Sequence, residues 1–232
     1  MRTAVMIIHG IQGHSRLFRW LENGLSGRAD VYNLLLPGHG DDVRAFLKSD
    51  MRMWQDFATE RAEELRGRYE RVIYAGHSMG CLLGLDAAMA HPGIFDGMLL
   101  IACPLRVRMT WRYISCNFLA ACKNVAKDRF VQAARLGNGV NPKSPLEYLL
   151  CGRQFAQLLK KVRGVRRGLV NPGVPVTVFQ PELDEIVSRR TLESFDGMEN
   201  VKKIILLDCG HNCFTDEAKE QILEEMRGMT GL

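Results

Sequence analysis

One feature constrains this chain more than any other. Short apolar runs alternate with helical patterns, and glycine stands at several of the crossings. Residues 3–8, 31–36, 71–75, 97–102, 174–180 and 202–208 each read as a strand. In most of them apolar residues fill consecutive positions rather than every second one. That is the mark of strands buried on both faces, as a parallel sheet covered by helices requires. Residues 16–25, 54–69, 81–90, 188–195 and 215–226 carry helical spacing between them. From about residue 104 to 172 the alternation fails, and long helical patterns appear without a convincing strand. The expected fold is therefore α/β, with a mostly parallel sheet of about six strands flanked by helices. Residues 1–105 and 173–232 would form its core, and 106–172 an inserted helical cap. At 232 residues the chain suits one such domain with an insertion.

The crossing at Gly76-His77-Ser78-Met79-Gly80 is the most informative. It follows the β-forming run Val72-Ile73-Tyr74-Ala75 and precedes an apolar helix. A serine on so sharp a strand-to-helix turn has strained backbone angles, and its close neighbours must be glycine to avoid collision. The following helix points its positive end at the turn. This is the G-x-S-x-G pattern that presents a nucleophile, and its strand–turn–helix setting is the one the pattern needs.

Taken together, His9-Gly10-Ile11-Gln12-Gly13, Leu36-Pro37-Gly38-His39-Gly40, Gly76-His77-Ser78-Met79-Gly80, Asp184 with Val187, and Gly210-His211 resemble the α/β-hydrolase family. Within it they resemble small bacterial carboxylesterases and monoacylglycerol lipases, and Leu36-Pro37-Gly38-His39-Gly40 points to that subgroup. The match spans most of the chain outside the cap. The resemblance implies a serine esterase of class EC 3.1.1 that acts on acyl esters without a cofactor. It also implies a reduced fold, because the chain starts at the strand carrying His9-Gly10, where relatives place two antiparallel strands first. At position 81 many relatives carry glycine, so slight crowding is expected at Cys81.

The family order of serine, acid and histidine makes Ser78 the nucleophile and leaves His91 and His211 as possible bases. His91 sits in a helix stop beside Pro92, so His211 is the expected base. Glu182, Asp184 and Glu185 compete for the acid, with Asp208 a further neighbour of His211. The D-x-x-V pattern of the resemblance selects Asp184. Backbone N–H groups of Ile11 and Met79 are the expected oxyanion donors.

Charge is distributed unevenly. The net charge of +5 conceals a cap at +12 and a remainder at −7. The cap's cations suggest an anionic lipid surface or an acidic carrier as partner, or a solvated face. An acyl thioesterase docking such a carrier is therefore an alternative, as is a non-catalytic binding protein on the same fold. Nucleic-acid binding is not expected of bases set over a hydrolase site. The seven cysteines include no C-x-x-C pair and suit reduced, buried thiols. Cys209, His211 and Cys213 lack a further ligand pair, so no metal site is expected. With no leader-like or membrane-spanning run, the expected location is the cytoplasm.

Overall fold

The computed structural model describes residues 2–40, 42–108, 110–111, 128–140 and 145–231, apart from the side chains at 145, 146 and 148. Of the cap, residues 109, 112–127 and 141–144 therefore lie outside the described residues. Six strands form one sheet: β1 (Thr3–Ile8), β2 (Asp30–Leu34), β3 (Arg71–His77), β4 (Gly97–Ile101), β5 (Val176–Pro181) and β6 (Val201–Leu206). Their order is β2-β1-β3-β4-β5-β6. Every neighbouring pair is parallel.

Successive strand residues point to opposite faces, which explains the consecutive apolar positions. Ala4, Met6, Ile8, Val72, Tyr74, Met98 and Leu100 belong to one buried cluster. Val5, Ile7, Ile73, Ala75, Leu99 and Ile101 belong to another. Helices α2 (Val43–Lys48), α3 (Met51–Arg68) and α4 (Met79–Ala90) cover the first face. Helices α1 (Arg19–Gly24) and α7 (Asp216–Thr230) cover the second. Asp42 and Asp50 cap α2 and α3 by accepting from Ala45 and Met53 N–H, which satisfies amides a helix leaves without a partner.

The region between β4 and β5 contributes α5 (Arg129–Gly137), a 3₁₀ helix (Pro145–Cys151) and α6 (Gly152–Gly168). Helix α6 lies beside the site with Phe155, Leu158 and Leu159. Further along it buries Val162 and Val165 in the cluster shared with α3 and α4. Among the described residues no helix is long and apolar enough to cross a membrane.

The register sets the site. Ile8 pairs with both Leu34 and Gly76, and Gly76 pairs with Leu100. The carboxyl ends of β1 to β4 therefore finish level, and the loops leaving them share one rim.

Candidate active site

Strand β3 ends at His77 and α4 starts at Met79, so Ser78 makes the whole turn. Its φ of 51° and ψ of −118° put a non-glycine residue in strained territory. The turn persists because its surroundings fix it. Ser78 N–H donates to Ile101 O at 3.0 Å, and Cys81 N–H donates to Ser78 O at 2.9 Å. A Cβ on Gly80 would collide with Ile8 O, and one on Gly76 would lie 2.7 Å from Cys81 N. Both glycines are thus required by backbone closeness. Cys81 is fully buried, and its thiol donates to Gly76 O at 3.1 Å and Ile101 O at 3.3 Å. The expected crowding there is met by a thiol that fits between two carbonyls.

Asp184 lies three residues beyond β5. Its Oδ1 accepts from Ile186 and Val187 N–H, both at 2.8 Å. The same carboxylate meets His211 Nδ1 with Oδ1 at 3.1 Å and Oδ2 at 3.0 Å. A carboxylate held by three donors only accepts, so Nδ1 carries the proton and Nε2 of the neutral ring is the free base. Burial alone would lower the His211 pKa. The Asp184 charge and hydrogen bond, with Glu185 adding, outweigh it and raise the pKa above its ordinary value.

The competing carboxylates have other partners. Glu182 accepts from Asp208 N–H at 3.2 Å, and Glu185 accepts from the backbone N–H of His211 at 2.8 Å. Asp208 is exposed and held by Arg129 of α5, with Nη1 at 2.8 Å from Oδ2. His91 faces Glu63 on the surface at 3.6 Å.

The loop after β1 is fixed by a histidine. Leu36 N–H donates to His9 Nε2 at 3.1 Å, so that nitrogen is an acceptor. His9 Nδ1 must then carry the proton, which it donates to Gly10 O at 2.8 Å. Gly13 N–H donates to the same oxygen at 2.9 Å. Carbonyl and N–H of one trans peptide point in opposite directions, so the Ile11 N–H is turned away from both bonds. Burial, with His39 nearby, holds the His9 pKa well below its ordinary value, which keeps the ring neutral.

Ser78, His211, His77, His9 and Ile11 line one cavity of about 170 Å³. Phe155, Leu158, Val107 and Ile186 give it apolar walls, and Gln12 and Asn212 give it polar ones. Among the described residues no hydrogen bond joins the Ser78 hydroxyl to His211, although both line the same cavity. Helix α5 closes one side. Its Arg129 binds the loop before His211, and Arg16 Nε donates to Leu136 O at 2.8 Å at its other end.

The structure thus brings Ser78, His211 and Ile11 to one cavity, and places Met79 behind Ser78 as the first residue of α4. Asp184 stands behind His211. From sequence, His77 and His9 carry no role of their own and Glu185 enters only as a rival to Asp184, yet all three hold this site. The partner of His77 lies 134 residues away, a distance no local spacing signals. Among the described residues no cluster of three or more His, Cys, Asp or Glu is placed to hold a metal ion.

Comparison with known proteins agrees with this architecture. A metagenome-derived lipolytic enzyme of the LipS and LipT pair superposes with a TM-score of 0.73 at 19% identity, over 99% of this chain and 94% of that one. The monoacylglycerol lipase of Paleococcus ferrophilus gives 0.72 at 16% identity, over 98% and 94%. A soluble variant of the Saccharomyces cerevisiae monoglyceride lipase gives 0.69 at 15%, over 99% and 86%. At these identities the likeness is one of fold. In sequence, the dihydrolipoyllysine-residue acetyltransferase component of the acetoin cleaving system of Pseudomonas putida is 29% identical over 133 residues. That match takes in 56% of this chain, which spans 35% of the length of that protein. The model of the alpha/beta hydrolase family matches residues 5–225, nearly the whole chain, and the protein belongs to that family.

Proposed function

We propose that the protein is a serine carboxylic ester hydrolase of the carboxylesterase or monoacylglycerol-lipase type. The observation that carries this reading is the Asp184–His211 pair opening on the same cavity as the strained Ser78. In this reading His211 Nε2 takes the Ser78 proton as Oγ attacks the ester carbonyl carbon. The carbonyl π bond becomes an oxyanion, held by the Ile11 and Met79 N–H groups. Collapse expels the alcohol, which receives that proton from His211 and leaves an acyl-serine. Water, deprotonated by the same ring, repeats the sequence and releases the acid. Asp184 orients the ring and stabilises its charged form.

The test is labelling with a fluorophosphonate, followed by turnover of p-nitrophenyl esters of rising chain length. Labelling of wild type but not of Ser78→Ala is expected. Unlabelled wild type would favour a non-catalytic binding role, and equal labelling of both would remove Ser78 as the nucleophile.

The partner surface rests on α6, which has no acidic residue. Arg153 and Lys161 pair with Asp50 and Asp86. Lys160, Arg163, Arg166 and Arg167 are exposed, and Leu159 at the cavity is 44% exposed. Cations beside an apolar cavity wall suit an anionic lipid surface, at about 1 kcal/mol per residue near the headgroups. Sedimentation with phosphatidylglycerol but not phosphatidylcholine vesicles is expected. Thioester turnover that falls steeply with salt, without vesicle binding, would favour an acidic acyl carrier instead. The five described cysteines are free and buried, which suits a reducing compartment such as the cytoplasm.

A further inference from the structure

We infer that His77 and Glu185 are positioning residues that clamp the backbone of His211 from its two sides, an inference that rests on the proposed role of His211 as base. Glu185 Oε2 accepts from His211 N–H at 2.8 Å. His77 Nε2 lies 2.8 Å from His211 O. A carbonyl oxygen only accepts, so His77 donates there through Nε2–H. Both main-chain polar groups of residue 211 are therefore held by side chains of other segments, while Asp184 holds its ring. All three residues are buried.

This arrangement exceeds what folding the loop would require. The loop already closes on itself through Gly210 N–H to Cys213 O at 2.8 Å and Cys213 N–H to Gly210 O at 3.3 Å. The clamp adds a link from residue 211 to the turn that carries Ser78, because His77 immediately precedes that serine. Phe18, at 5.3 Å between ring centroids, and Phe214, at 6.2 Å, pack around the His77 ring and fix its plane. Burial, with His211 nearby, depresses the His77 pKa to about 3, so the ring remains a neutral donor. The ionisable groups facing the His211 ring are Asp184 and Glu185 from the loop after β5 and His77 from the end of β3. Arg129 on α5 is occupied by Asp208.

Four variants test the clamp: His77→Phe, His77→Gln, Glu185→Ala and Glu185→Gln. Loss of either hold lets the base drift, and a misplacement of about 1 Å costs roughly 100-fold in rate. His77→Phe and Glu185→Ala are expected to lower kcat by roughly 10- to 100-fold, with KM little changed. His77→Gln retains a donor and should recover most of that loss. Glu185→Gln retains an acceptor for the amide but removes a negative charge. It should therefore keep most of kcat while the acid limb of kcat/KM moves to lower pH. Wild-type kcat in folded His77→Phe and Glu185→Ala would overturn the clamp, whatever the loss of the Glu185 charge does to the acid limb. Should His77→Phe fail to fold, the Glu185 pair decides alone. Labelling of wild-type Ser78 by fluorophosphonate separates the two failures: without it the esterase reading falls, and with it only the clamp is in question.

Discussion

Gly10 abuts Ser78 so closely that a Cβ on residue 10 would lie 2.9 Å from Ser78 Cβ and 3.4 Å from its Oγ. The loop after β1 and the serine turn cannot separate to admit that carbon without moving one or both. Gly10→Ala is expected to lower kcat/KM by roughly 100-fold, the scale of losing one oxyanion donor. Steady-state kinetics and the fluorophosphonate labelling rate measure it. Unchanged labelling would dissociate this loop from the reaction.

Asp184 and Asp208 both stand near His211, but only Asp184 meets its ring. Asp184→Asn should cost about 10⁴-fold in kcat, because the wrong tautomer becomes available. The direction of its pH effect also follows. The base works only when neutral, so activity falls as pH drops through its pKa. Asp184 raises that pKa, so the wild-type acid limb lies above the ordinary 6.5 or so. In Asp184→Asn the limb should move down. Asp208→Asn should leave both kcat and the limb close to wild type. A large loss in Asp208→Asn alone would reverse the assignment.

His9, His39 and His77 are buried as neutral rings. Burial is the largest cause in each, and it brings His39 to about 4 and His77 to about 3. In the unfolded chain such rings protonate near 6.5. The unfolded state therefore binds more protons below that pH, and the stability these rings contribute is lost as pH falls toward their folded values. His211 opposes the trend, since its raised pKa favours the fold in acid. Three rings against one predict a Tm lower by roughly 5–10 °C at pH 5 than at pH 7. A calorimetric Tm that is flat over that interval would contradict the neutral assignments.

Gly139 follows α5 and lies on the loop after β1. Its N–H donates to Gln12 O at 2.7 Å and its carbonyl accepts from Gly40 N–H at 2.6 Å. A Cβ there would collide with Gly13 O. Gly139→Ala should destabilise the fold by about 1–3 kcal/mol, the usual scale of overpacking. Thermal unfolding measures it, and ester turnover should fall as the loop is displaced. A wild-type Tm would mean that this contact opens freely.

The sheet was legible because burial on both faces leaves an unbroken apolar run, a signal local to each strand. The strand ends were less so: β3 continues through His77, and β5 through Pro181. The short helix α2 carried too little periodicity to announce itself beside Leu36-Pro37-Gly38-His39-Gly40. Ser78 was readable because its strain demands glycine neighbours in sequence. The hydrogen bonds of His9 and His77 were not. They are set by which strands pair, and nothing within a few residues of either ring records that choice. Helix α6 showed its spacing, but not that one stretch borders the cavity while another packs on α3 and α4.

The bond from Leu36 N–H to His9 has a consequence beyond the cavity. It makes the corner at Pro37 a lever on a single peptide plane. That corner is itself held in the core, with Leu36 fully buried and Pro37 O accepting from Trp54 Nε1 at 2.9 Å, so helix α3, the imidazole and the plane between residues 10 and 11 are tied together. The direction of the Ile11 N–H is thereby coupled to packing on the far side of the corner, and not to the cavity wall alone.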